Sequence, residues 1–189
     1  MAIDAETKLV PCWLVGTRDA VCATEFIADL ERRLANRVQL TTDGHKVYLN
    51  AVIDAFADEV DYAQLVKYFG TNPDLDAQRR YSPAICNGCE KIIRLGDPDE
   101  QFISTSYVER QNLTMRMSMR RFTRLTNGFS KKIQNHEAAV ALHYMYYNFV
   151  RVHQTLRVTP AMAAGISNHV WSFQEVIALT TARPEAVAA

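Results

Sequence analysis

The sequence predicts an α/β fold, and three observations carry that expectation. Over residues 1–69 the apolar pattern alternates between strand-like runs and a helical period, in the order strand, strand, helix, strand, helix, strand. The chain has 189 residues and 48% apolar content, enough to bury a core in one domain with a small appendage. Its net charge of zero hides a gradient. Residues 1–61 hold 11 acids and 6 Lys/Arg (−5), residues 62–109 hold 7 and 5 (−2), and residues 110–189 hold 3 and 10 (+7). A basic half of this kind fits a surface that faces nucleic acid, and mutual neutralisation of two faces within the fold is the alternative.

Met1 to Asp4 reads as the tail of a first strand cut to a few residues, with Ala5-Glu6-Thr7 as a hairpin turn. Lys8 to Gly16 is the returning strand; Pro11 lacks an amide donor and so marks a bulge or an edge. Thr17 to Asn36 is an amphipathic helix capped by Thr17, with Ala20, Ala23, Phe26, Ile27, Leu30 and Leu34 on its apolar side. Arg37 to Thr42 is a short strand, and Asp43-Gly44 ends it sharply. His45 to Asp58 is a helix with Val47, Val52, Ile53 and Phe56 inward, and Val60 to Phe69 is a strand stopped by Gly70. Residues 70–103 hold three prolines, Asn87-Gly88 and the run Asp97-Pro98-Asp99-Glu100, and read as an irregular insertion.

Within that insertion, Cys86-Asn87-Gly88-Cys89 has metal-ligand spacing, but no second pair follows, so it is a weak zinc signal. The four scattered cysteines fit a reducing compartment rather than a disulfide framework. No apolar run is long enough to span a bilayer and no signal-peptide pattern opens the chain, so the expected location is cytoplasmic, with no membrane partner.

Ser104 to Lys132, STSYVERQNLTMRMSMRRFTRLTNGFSKK, is the most distinctive stretch. One carboxylate, Glu109, precedes Arg110, Arg116, Arg120, Arg121, Arg124, Lys131 and Lys132, and no acid interrupts up to His136. A helix from Ser106 to Asn127-Gly128 would put Glu109, Asn112, Arg116, Arg120 and Arg124 along one stripe, with Met115, Met119 and Phe122 packing on another face. Such a row suits a phosphate backbone. A second helix spans Lys131 to His153, with Ile133, Val140, Ala141, Leu142, Met145, Tyr146 and Phe149 inward. Thr159-Pro160 opens a short helix through Ala164, and Val170 to Thr180 is the last.

Asp4, Asp43 and Glu109 are the candidate site acids. Strand carboxyl ends are where sites form in open α/β sheets. Three hard oxygen donors converging there would bind Mg²⁺ or Mn²⁺, and a pair of such ions supports in-line phosphoryl transfer. Each acid also has a simpler reading. Ser106-x-x-Glu109 matches a capping box, Asp43-Gly44 an ordinary turn, and Asp4 a solvated turn acid. His45 and His153 read equally as surface or core histidines, and the methionines at 115, 117 and 119 as packing.

The segments IDAETKLVPCWLVGTRD, TTDGHKVYLNAV, Ser104–Lys132 and NHEAAVALHYMYYNFVRVHQTLRVTPAMAAG resemble the catalytic half of DDE-type bacterial insertion-sequence transposases, in particular the insertion-sequence-one family. The resemblance covers residues 2–180. It implies an RNase H-like mixed sheet flanked by helices, over residues 1–153, and a helical C-terminal extension over 154–189. It implies two-metal DNA cleavage and strand transfer in DNA transposition, with two Mg²⁺ or Mn²⁺ ions. Asp4, Asp43 and Glu109 map onto the family's three metal-binding acids, and Arg110 and Asn112 onto its E-R-x-N segment. Tyr147-Asn148-x-x-Arg151-x-His153 matches a family pattern with a positioning or DNA-contacting role. The implied partners are transposon-end and target DNA, an N-terminal DNA-binding region encoded separately or fused, and further copies of the chain in a nucleoid-associated complex. The shortened first strand raises an alternative: an inactive DNA-binding remnant that interferes with a complete transposase. An RNase H-like nuclease without strand transfer is a third reading.

Overall fold

The computed structural model describes residues 1–70, 85–123 and 126–181. Among these the chain is α/β, with a three-stranded mixed sheet and six α-helices. It divides into two compact units, Met1–Val15 with Tyr107–Ala189, and Gly16–Ser106.

The Gly16–Ser106 unit holds the sheet. Helix α1 (Ala20–Glu31) starts where the Asp19 carboxylate accepts the Cys22 amide at 2.9 Å, two residues later than a Thr17 cap implies. Ala23, Ile27 and Leu30 are its buried stripe, while Ala20 stays exposed. Strand β1 (Val38–Asp43) leads to α2 (Val47–Phe56), which buries Ala51, Val52 and Phe56. Ile53, expected inward, is 42% exposed. Strand β2 (Val60–Gly70) is central. It pairs in parallel with β1, from Val38 opposite Val60 to Asp43 opposite Leu65, and antiparallel with β3 (Ile85–Leu95). Tyr62 and Gln64 are buried on one face of β2, Ala63 and Leu65 on the other, as expected for a strand covered on both sides.

Strand β3 corrects the irregular reading of residues 70–103 over residues 85–95, while residues 71–84 of that stretch lie outside the described residues. Ile92 and Ile93 give it a β-branched centre, and its pairing reaches down to Ile85. The turn-forming Asn87-Gly88, which argued against a strand, is absorbed by a register shift within the pairing. A two-pronged Arg37–Asp61 ion pair, 3.0 and 2.7 Å, ties the start of β1 to β2, and Asp61 also accepts the Asp97 amide at 2.9 Å.

In the other unit, residues 1–15 form a hairpin without regular strands and outside the three-stranded sheet, a second correction. Three backbone bonds hold it: Ala2 N to Cys12 O, Asp4 N to Leu9 O and Lys8 N to Asp4 O, at 3.0, 2.8 and 3.0 Å. The partner numbers slip by one between the first two bonds, so an extra residue intrudes beside Pro11, which has no amide to donate. Lys8 at φ 61 interrupts the extended run at the turn.

Helix α3 (Ser106–Ser118) is shorter than expected. It breaks at Met119 (φ −121, ψ 110) into a 3₁₀ turn at Arg120–Phe122. In a continuous helix Arg116, Arg120 and Arg124 would stack like charges every fourth residue. Instead the Thr123 hydroxyl folds back to the Arg116 carbonyl at 3.3 Å and satisfies one open C-terminal acceptor. Gly128 is no helix cap: a Cβ there would meet the Arg120 carbonyl oxygen at 3.2 Å, so glycine permits this close approach.

Helix α4 (Ile133–Met145) runs on into a π turn at Tyr146–Val150. Its buried stripe is Val140, His143, Tyr144, Tyr147 and Asn148, at steps of three and four. Ile133, Leu142 and Tyr146, expected inward, are exposed. With Val10 and Met115, the apolar members of the stripe make this unit's core, and Met1, Ile3, Trp13, Met119 and Phe122 pack around it. Helix α5 (Pro160–Ala163) begins as expected, with Thr159 capping the Met162 amide at 3.2 Å. Helix α6 (Phe173–Thr181) begins with a capping box in which Ser172 and Glu175 exchange bonds of 2.7 and 3.3 Å. Among the described residues no helix is long and apolar enough to cross a membrane.

Candidate functional site

Asp4 sits at the hairpin turn, exposed, with its carboxylate turned onto its own loop. Oδ2 accepts the Thr7 amide at 3.0 Å and the Thr7 hydroxyl, and Oδ1 accepts the Glu6 amide at 3.3 Å. Partial burial raises its pKa, but the Thr7 hydroxyl, the two amides and the Lys8 charge outweigh this and hold it below the ordinary value. The Lys8 ammonium lies 4.0 Å from the centre of the Tyr107 ring, in the first turn of α3. Two residues on, Glu109 is exposed in the same turn, where the helix N-terminus favours a carboxylate. Asp4 and Glu109 therefore share one unit.

What fixes the Asp4 hairpin is a side chain on α4's continuation. Leu9 and Cys12 direct their carbonyls at residues 2–4, so Val10, between them, directs its peptide groups to the opposite side. Asn148 meets them there: its Oδ1 accepts the Val10 amide at 3.0 Å and its Nδ2 donates to the Val10 carbonyl at 2.9 Å. A side-chain amide thus takes the place of a neighbouring strand, and both residues are buried. Asn148 belongs to the Tyr147-Asn148-x-x-Arg151-x-His153 segment, and it is this residue that holds the hairpin. At its end, His153 donates its amide to Val158 O and accepts the Arg157 amide at its own carbonyl, at 2.9 and 2.8 Å. Burial, then the charges of Arg151 and Lys8, lower the His153 pKa. Burial likewise lowers that of His143, with Arg151 adding to it.

Asp43 ends β1 in the other unit, exposed, with its Oδ1 accepting the His45 amide at 3.2 Å. The strand end around it is tied by hydrogen bonds. Buried Gln64 donates to the Asp43 and His45 carbonyls at 3.3 and 3.4 Å and accepts from Arg94 at 3.0 Å. A Cβ on Gly44 would lie 2.8 Å from Val66 Cγ2, so only glycine allows the chain to leave the strand at this angle. Burial, then the Asp43 charge, raises the Tyr48 pKa.

The cations are placed in two groups. Arg110, Asn112 and Arg116 are exposed along α3, whereas Gln111 and Met115 are buried. Arg120, Arg121, Lys131 and Lys132 are exposed beyond the helix end, so the expected single stripe is divided at Met119. Arg121 donates to the Asn135 carbonyl at 2.8 Å and Arg120 to the Thr126 hydroxyl at 3.3 Å. Arg124 lies outside the described residues. Ion pairs among the described residues include Arg32–Asp29, Arg33–Asp29, Arg37–Asp61 and His169–Glu175.

As hard oxygen donors the three acids suit Mg²⁺ or Mn²⁺ in kind. An ionised carboxylate has about four lone-pair positions. Three of Asp4's already accept hydrogen, which leaves it a one-point ligand. Among the described residues no group of three or more His, Cys, Asp and Glu side chains is arranged to hold a metal ion. Comparison with family models, with curated proteins and with solved structures finds no match.

Proposed function

We propose that the chain is the catalytic part of a DDE-type transposase with an RNase H-like fold, acting on DNA phosphodiesters. The observation that carries this reading is Glu109 in the first turn of a helix whose solvent face continues as Arg110, Asn112 and Arg116, followed by four more exposed cations. A DNA backbone lying along that face is held by its phosphates, beside the Glu109 carboxyl group. Asp4, Asp43 and Glu109 would hold two Mg²⁺ or Mn²⁺ ions. When bound, those ions supply Lewis acidity at the attacking and leaving oxygens. The protein's own part is to keep Asp4 ionised through Thr7 and Lys8, to fix its hairpin through Asn148, and to fix the Asp43 strand end through Gln64 and Gly44. The active complex would contain several copies of the chain and an N-terminal region that reads the transposon ends.

The test is cleavage and strand transfer on duplex DNA bearing transposon ends, with Mg²⁺ or Mn²⁺ and unaltered chain beside Asp43→Asn and Glu109→Gln. Metal-dependent products that vanish in both variants are expected, and equal activity in either variant sinks the assignment. One observation favours a second reading, DNA binding without chemistry: the Asp4 carboxylate is already engaged three times within its own turn. Binding that survives removal of all three acids, with no cleavage by the unaltered chain, would support it.

A further inference from the structure

Cys86 and Cys89 are three residues apart, which in a regular strand puts their side chains on opposite faces of the sheet. The register on β3 changes that. Cys89 lies opposite Lys67, Gly88 opposite Tyr68 and Cys86 opposite Phe69, so Asn87 is an extra residue with no partner. Lys67 and Phe69 are two apart on β2 and share a face, and residues directly opposite each other across a ladder also share one. Both cysteines therefore lie on the face of Lys67 and Phe69. The other face confirms the parity: Tyr68 donates to Glu90 at 2.5 Å and Arg94 to Gln64 at 3.0 Å, all on the opposite side.

One further contact turns a thiol along the strand, and a second holds the bulge between the two cysteines. Cys86 Sγ donates to the Gly88 carbonyl at 3.3 Å, so it leans along the strand towards Cys89. The Asn87 amide fills the space a Gly70 side chain would take, which anchors the bulge. Gly88 has open space where a side chain would be, and its backbone freedom lets the short loop tighten. Both thiols are free and exposed, whereas Cys12 is buried and Cys22 half-buried.

We propose that Cys86 and Cys89 form a reactive dithiol that closes to an intramolecular disulfide by exchange with a low-molecular-weight disulfide. One cysteine thiolate attacks the reagent, forming a protein mixed disulfide and releasing one thiol. The second thiolate attacks the protein sulfur of that bond and releases the other thiol. The two cysteines lose two electrons and two protons, and the reagent is reduced to two thiols. Closure requires the Cα atoms to approach within about 4.4–6.8 Å, which the loop would reach by tightening at the bulge and Gly88. Two thiols complete this chemistry, whereas a structural zinc site takes four ligands and this segment supplies two.

The experiment exposes the full chain to glutathione disulfide, alkylates the remaining thiols, and reads intact mass and peptide maps. The expected product has lost two hydrogens, joins Cys86 to Cys89 within one chain, and reverts with a dithiol reductant. Cys86→Ser and Cys89→Ser should each stop at a stable glutathione adduct on the remaining cysteine. Adducts that persist on both cysteines of the unaltered chain would overturn the proposal, as would a bond formed only between chains. Full protection of both thiols by added Zn²⁺ alone, with no closure in its absence, would overturn it in favour of a metal site.

Discussion

The Asn148 contact gives the sharpest test of how this fold presents Asp4. In Asn148→Ala the Val10 amide and carbonyl lose their partners at 3.0 and 2.9 Å, at a residue only 1% exposed. An orphaned buried peptide group costs about 1–3 kcal/mol, so the pair predicts a loss of roughly 2–6 kcal/mol. Against a typical stability of about 5–15 kcal/mol that is a severe change. Urea unfolding reads the loss, and amide exchange at Val10 should accelerate well beyond that at Ala63, which lies in the sheet. Asn148→Asp adds a sign. A carboxylate there can accept from the Val10 amide but presents an acceptor, not a donor, to the Val10 carbonyl, and burial raises its folded pKa. The protonated form restores the donor. The variant's deficit relative to wild type is therefore smallest below the unfolded carboxyl value of about 3.9 and grows as pH rises through the folded pKa. A loss under about 1 kcal/mol in Asn148→Ala, or unchanged exchange at Val10, would refute the clamp.

Three other outcomes follow from the geometry. Arg37 and the Asp97 amide hold the Asp61 carboxyl down from 3.8 to about 2, so the stability it contributes is complete above the unfolded value and is lost as pH falls towards 2; Asp61→Asn should flatten that acid limb of an unfolding profile. Gly44→Ala places a Cβ 2.8 Å from Val66 Cγ2 and should destabilise by about 1–3 kcal/mol in thermal or urea melts. Adding Val66→Ala should recover part of the loss. On the DNA-binding reading, Arg116→Ala should weaken binding uniformly across sequences and shrink the slope of log affinity against log salt by about 1, read by fluorescence anisotropy.

Local chemistry was legible where one residue decides it. Thr159-Pro160 opens α5, Asp43 closes β1 before Gly44, and Ala5-Glu6-Thr7 turns the hairpin between Asp4 and Lys8. The inward packing of Met115, Met119 and Phe122 could also be read from helical spacing. The α4 face could not. Its apolar residues Ile133, Leu142 and Tyr146 point outward, while His143, Tyr144 and Asn148 turn inward. A polar side chain becomes a core residue only when a partner awaits it, as the Val10 peptide awaits Asn148, and that partner lies 138 residues away in sequence. Strand β3 was hidden for the opposite reason: Asn87-Gly88 carries turn chemistry, and only pairing with β2 makes it a bulge.

The sequence by itself determined the α/β alternation, the basic character of the second half, and the spacing of Asp4, Asp43 and Glu109, because these depend on composition and short-range period alone. Tertiary structure decided where α3 breaks, that Asp4 turns onto its own loop, and that Cys86 and Cys89 share a face. Those outcomes rest on hydrogen bonds and strand register, in which a residue's role is set by what stands opposite it.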